Sequence, residues 1–111
     1  MPNCSRNDVV LVRYPFTDLS VAKVRPAVVV SSTHPSHDLM IVPLTSRLSS
    51  LLAGEFALTD WRRAGLHVPT AVKRGVFTIH GELVLRVVGS LSQQDVAQLD
   101  GALRHWLGLS N

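Results

Sequence analysis

The sequence predicts a mainly β domain with one C-terminal helix, in which short antiparallel strands curl into a small sheet or barrel. Two patterns carry this. Apolar, β-branched runs recur from Asp8 to Leu91, each bounded by Pro, Gly, Asp or Ser, as strands separated by turns are. The closing stretch "SQQDVAQLDGALRHWLGL" instead spaces its apolar residues at the period of a helix. No phosphate-binding glycine loop, zinc motif or nucleophile elbow interrupts these runs. Any chemistry must therefore come from isolated polar residues at strand ends.

The first strand is "DVVLVRY" (8–14), closed by Pro15, and "PFTDLSVAKV" follows as a loop with Asp18 and Ser20 as turn formers. "RPAVVVSS" (25–32) is the second strand. Pro26 lacks an N–H, which suits a strand's first residue, and it forces Arg25 into an extended conformation just outside that strand. "THPSHD" is a polar turn, and "LMIVPLTS" (39–46) a third strand that ends polar. "EFALT" is a short fourth, and "DWRRAGL" one helical turn with Asp60 as cap and Gly65 as stop. "PTAVK", "VFTIH" and "LRVVGSL" are three more extended pieces. In the helix Ser92 is the N-cap, Asp95 the capping-box acid and Gly108 the terminator. Val96, Leu99, Leu103, Trp106 and Leu107 form its buried stripe.

The chain has 111 residues, 46% of them hydrophobic, enough for one real core. No apolar run approaches the ~20 residues of a membrane helix, and "MPNCSRNDVV" lacks the layout of a signal peptide. Cys4 is the single cysteine, which excludes a disulfide framework and a thiolate metal cluster. A cytoplasmic protein without membrane association is expected. The net charge of +3, from nine arginines and two lysines against eight acids, suits a nucleic-acid partner or simple solubility.

Taken together, "DVVLVRYPFTDLSVAKVRPAVVVS", "LMIVPLTSR", "PTAVKRGVFTIH" and "RVVGSLSQQDV" resemble the PemK/MazF toxins of type II toxin–antitoxin systems, in order and spacing over nearly the whole chain. The "PFTDLS…KVRPAVVVS" block and the "VPLTS" strand end are the most specific parts. The resemblance implies one toxin domain over residues 1–111, an SH3-like barrel with a C-terminal helix, and a homodimer. It also implies cleavage of single-stranded RNA (mRNA) without metal or other cofactor, and silencing by a cognate antitoxin. Four residues depart from the family pattern. Val21 stands where many members have glycine, Lys73 and Arg74 where some carry an acid, and His80 where aspartate is frequent.

The resemblance assigns catalysis to Arg25 and Thr45. A guanidinium is too weak an acid to serve as a base, but its planar fork matches phosphate oxygens. Thr45 offers a hydroxyl on a stiff, β-branched side chain. Their alternatives are a surface ion pair of Arg25 with Asp18, Asp38 or Glu82, and a Thr45 hydroxyl bonded to its own backbone. RNA binding is expected of Ser46, Phe16, Thr17, Lys23, Lys73 and Arg74, with Phe16 stacking on a base or packing under its loop. Lys73 and Arg74 also suit a solvated edge that discourages strand pairing. His80 is either a proton shuttle or turn decoration. His34, His37 and Asp38 give a weak metal signal, and no metal site is assigned. Two other function classes compete: a gyrase poison like the CcdB toxins, suggested by "HWLGLSN", and a catalytically silent RNA- or protein-binding barrel.

Overall fold

The longest apolar runs of the sequence form the centre of one antiparallel sheet. A computed structural model describes residues 3–14, 23–32 and 34–109. The strands are β1 (Asp8–Tyr14), β2 (Lys23–Val29), β3 (Asp38–Thr45), β4 (Phe56–Ala57), β5 (Ala71–Val72), β6 (Phe77–His80) and β7 (Val84–Ser90). A 3-10 turn (Gly81–Leu83) joins β6 to β7, and helix α1 (Gln93–Trp106) follows. The sheet order is β4-β5-β3-β2-β1-β7, with β6 also paired to β3. Among the described residues no ladder joins β7 to β4 or β6. The expected barrel is therefore an open, curled sheet.

Both faces of this sheet are covered, which explains why β1, β2 and β3 read as continuous apolar runs rather than alternating ones. Val9, Val28, Val42 and Leu44 face one way and pack with Phe56, Leu58 and Val72 against Leu99, Ala102 and Leu103 of α1. Val10, Val12, Ala27, Val29, Leu39 and Ile41 face the other way and pack with Ile79, Val84 and Cys4 inside the curl. Burial raises the pKa of the Cys4 thiol, with Asp8 adding to the rise.

Several local expectations are corrected. β2 begins at Lys23, so Arg25 lies within a strand, paired with Val12, rather than just outside one. Pro26 is tolerated there because the β2–β3 ladder starts only at Ala27, leaving an unpaired side for a residue with no N–H. The Ser92 hydroxyl caps α1 by accepting from Asp95 N–H at 3.2 Å. The Asp95 carboxylate does not close the expected capping box. It is fully buried and accepts from Thr59 N–H at 2.9 Å, Asp60 N–H at 3.2 Å and the Thr59 hydroxyl at 3.0 Å. Helix and loop are thereby tied together. Leu107, expected on the buried stripe, is 56% exposed because the helix ends at Trp106 and Gly108 adopts a φ of +68°. The Asp60 turn forms as expected, with Asp60 Oδ1 accepting from Arg63 N–H at 3.0 Å.

Candidate functional site

The pleat decides which polar side chains share a face. In the β2–β3 ladder Val29 opposes Ile41, Val28 opposes Val42 and Ala27 opposes Pro43. The ladder ends there, and two residues beyond it Arg25 of β2 and Thr45 of β3 lie on the face that carries Ala27 and Pro43. Lys23 lies two residues before Arg25 on the same strand and so on the same face. Thr45 opposes Ala71 of β5, which puts Lys73, two residues on, on that face as well.

Arg25 is exposed. Neither Asp38 nor Glu82 neutralises it: the one ion pair among the described residues joins Arg6 to Asp100 at 2.8 Å. Half-buried Thr45 accepts a hydrogen bond from Arg47 N–H through its Oγ1 at 3.1 Å. That contact is the backbone bond expected of a strand-end threonine, and it is compatible with chemistry. Only an acceptor lone pair is used, so the hydroxyl proton remains for donation. Ser46 follows the strand end and is exposed. Phe16, Thr17, Asp18, Ser20 and Val21 lie outside the described residues.

Lys73 and Arg74 occupy a bulge. β5 pairs with Leu44 and Thr45, and β6 pairs with Asp38 to Ile41, so together they flank one side of β3 as an interrupted strand. Two extra residues accumulate between Val72 and Phe77 relative to β3. Lys73 N–H still donates to Pro43 O at 2.9 Å, after which the chain swings out. Glu55 holds the swing: its Oε2 accepts from Arg74 N–H at 2.7 Å and its Oε1 from Leu52 N–H at 2.6 Å. These two bonds, with the Lys73 and Arg74 charges, lower the pKa of the Glu55 carboxyl below its ordinary value. The cations of the bulge are exposed but their backbone is anchored.

Other sequence candidates fall elsewhere. His80 opposes Asp38 at the start of β3 and its Nδ1 accepts from Glu82 N–H at 3.1 Å. Thr45 is at the other end of this eight-residue strand, roughly 23 Å away at strand rise. His80 caps the 3-10 turn and is not part of the Arg25 face. His34 Nδ1 meets Ser36 Oγ at 2.7 Å, and among the described residues no three His, Cys, Asp or Glu side chains converge. A cavity of about 550 Å³ lies at this far end, lined by Ser31, His34, Asp38, Met40 and Thr78. Trp106 packs against the helix-side core, as its stripe position implies, and its Nε1–H donates to Ala53 O at 3.0 Å.

The exposure of Phe77 is a feature that the sequence pattern alone does not indicate. Phe77 opposes Ile41 on the Thr45 face, yet 43% of it is exposed. The one hint is the glycine two residues before it, which marks a bulge.

The model of the PemK-like, MazF-like toxins of type II toxin–antitoxin systems matches residues 5–107. The chain belongs to this family. No curated protein matches the sequence. Three solved toxin structures share the fold. A mycobacterial endoribonuclease in complex with its cognate antitoxin superposes with a TM-score of 0.75 at 16% identity, covering 98% of this chain and 99% of that one. Mycobacterium tuberculosis toxin MazF-mt6 gives 0.75 at 19% identity, covering 94% and 99%. MazF from the Deinococcus radiodurans MazE–MazF crystal structure gives 0.77 at 19% identity, covering 96% and 98%. In this PemK/MazF chain the sheet and the terminal helix are thus family features, whereas the Lys73–Arg74 bulge with Phe77 is described from its own residues.

Proposed function

We propose that this PemK/MazF-family toxin is a metal-independent endoribonuclease acting on single-stranded RNA, mRNA included, in the cytoplasm. The observation that carries the proposal is that Arg25 and Thr45 share one face of the sheet, two residues beyond the Ala27–Pro43 pair. The substrate's 2′-oxygen attacks phosphorus, the P–O5′ bond breaks, and a 2′,3′-cyclic phosphate and a 5′-OH result. The proton lost by the 2′-OH passes to solvent and the leaving 5′-oxygen gains one. Charge grows on the non-bridging oxygens in the transition state, and donors already aimed there lower the barrier without reorganising. Arg25 supplies the planar fork and the proton taken up by O5′; Thr45 supplies a hydroxyl, with Ser46 as a second donor. Lys23, Lys73 and Arg74 bind flanking phosphates, and Phe16 and Thr17 contact the RNA from the first loop.

The active form is a homodimer, with RNA in a groove shared by two copies. A cognate antitoxin, acidic and partly disordered, folds onto the basic face; such segments exchange ordering entropy for a large wrapped surface. The mycobacterial and Deinococcus relatives captured with antitoxins support that partner class. The test is incubation of the purified protein with single-stranded RNA in EDTA, with analysis of the ends. Cyclic or 3′-phosphate and 5′-OH termini are expected. Activity lost on chelation and restored by Mg²⁺ would reject the mechanism. Intact RNA beside altered plasmid supercoiling with gyrase would favour the poison class instead.

A further inference from the structure

We propose that a groove at the C-terminal end of α1 is the docking site of an acidic peptide segment that carries large apolar side chains. Two cavities of about 280 and 380 Å³ meet there. Leu52, Arg74 and Trp106 line both, so they are parts of one groove. Trp106 and Val76 pack against the helix-side core, whereas Ala27, on the Arg25 face, belongs to the opposite one. The groove is therefore separate from the face proposed to cut RNA. An antitoxin of the kind proposed above has the matching chemistry; the partner's identity rests on that reading, and the groove's affinity for such a segment does not.

The floor of the groove is apolar and fixed. Leu52 is 65% exposed, and Val76 is half-buried. The one polar atom of the Trp106 ring is engaged, its Nε1–H donating to Ala53 O at 3.0 Å. Gly54, at a φ of +84°, lets the 52–55 turn press on that ring, since a Cβ there would collide with Nε1. The rim is basic. Lys73 and Arg74 stand on it, and the one ion pair among the described residues lies elsewhere, between Arg6 and Asp100. Glu55 is the only acid among the lining residues, and its single charge is set against these two cations, so the rim keeps a positive excess. A peptide carboxylate meets that excess, with the Arg74 fork able to offer two parallel N–H donors. A second copy of this chain, at a net charge of +3, would set like charges against the rim. Nucleic acid fits the rim but not the floor, because Leu52 and Val76 offer its bases no π face.

The test uses the full-length protein and a fluorescein-labelled acidic peptide with Leu and Phe set among Glu and Asp residues, read by anisotropy at fixed salt. One control peptide replaces the apolar residues by Ser, the other replaces the acidic ones by Gln. Each control should bind about tenfold more weakly, as loss of an anchor or of complementary charge does. Arg74→Glu and Leu52→Ser should weaken binding of the acidic peptide by a similar factor. Both variants keep the Glu55 clamp, whose bonds from Leu52 and Arg74 run through backbone N–H groups. Circular dichroism confirms that each is folded. Leu52→Ser should bind a 2′-O-methyl single-stranded oligonucleotide as the parent does. An acidic peptide that binds no more tightly than its controls, or equally to parent and both variants, overturns the docking site. Oligonucleotide binding weakened by Leu52→Ser as much as peptide binding makes the groove a nucleic-acid surface and also overturns it. So does a halving of the mass in light scattering when the peptide is added, because a second copy then held the groove. Cleavage of unmodified RNA is followed in parallel. A protein that binds the peptide as expected but never cuts rejects the endoribonuclease reading and upholds the groove; one that cuts but ignores the peptide rejects the groove alone.

Discussion

At the scale of single residues, the proposed function turns on a guanidinium with no acidic partner among the described residues. Asp38 and Glu82, available in the sequence, do not pair with Arg25. Losing one preorganised donor to a developing oxyanion typically costs ~10²–10³ in rate. Arg25→Ala should therefore cut RNA at least about a hundredfold more slowly. Arg25→Lys should recover little, because a point charge does not reproduce the fork. Thr45→Val removes the hydroxyl and keeps the shape, so single-turnover assays on that variant separate donation from packing. A rate equal to the parent's would leave Thr45 as a strand-end cap for Arg47 N–H. Glu55 gives a pH prediction. Its folded pKa lies below the ordinary 4.5, so the clamp contributes stability that is present above that value and lost as pH falls through the folded pKa. In an NMR titration the Arg74 amide should shift with a midpoint below 4.5, and Glu55→Gln should abolish the shift. A midpoint at or above 4.5 would contradict the clamp.

At the scale of elements, α1 is fastened as much by one carboxylate as by its apolar stripe. The fully buried Asp95 carboxylate accepts from the Thr59 and Asp60 N–H groups and so ties α1 to the loop after β4. Asp95→Ala should destabilise the fold by about 1–3 kcal/mol, visible as a lowered denaturation midpoint. Leu99→Ala, in the fully buried core of the same helix, should cost about 2–5 kcal/mol. If Asp95→Ala proves neutral, the helix–loop tie carries no weight. Elements of this kind were partly legible beforehand. The strands and the helix follow from apolar runs and periodicity, and Ser92 and Asp60 act as the caps their positions imply. The target of Asp95 was not legible, since its partners lie 35 and 36 residues away. The bulge that exposes Phe77 was hidden for a similar reason: it exists only relative to β3. Arg25 and Thr45 were recognisable as motif residues, but their place on one face depends on a register that no local pattern encodes.

At the scale of the molecule, the helix-covered face holds the sheet together and the opposite face divides its labour. One end is packed by Leu39, Ile41 and Ile79, and the other carries Lys23, Arg25, Thr45 and Lys73. Val24, Met40, Leu85, Val87, Leu107 and Leu109 remain exposed on one copy, apolar surface consistent with pairing. Light scattering at micromolar concentration should give about twice the 12.1 kDa chain mass; an active enzyme that stays at the single-chain mass would remove the shared groove. The most direct test of the whole is a double-mutant cycle on Arg25 and Thr45, read as the rate of single-stranded RNA cleavage in EDTA. If both residues act on one phosphorane, each single variant is slow and the double variant loses less than the product of the two effects. Wild-type cleavage by Arg25→Ala, with its fold intact, would contradict the phosphate clamp outright.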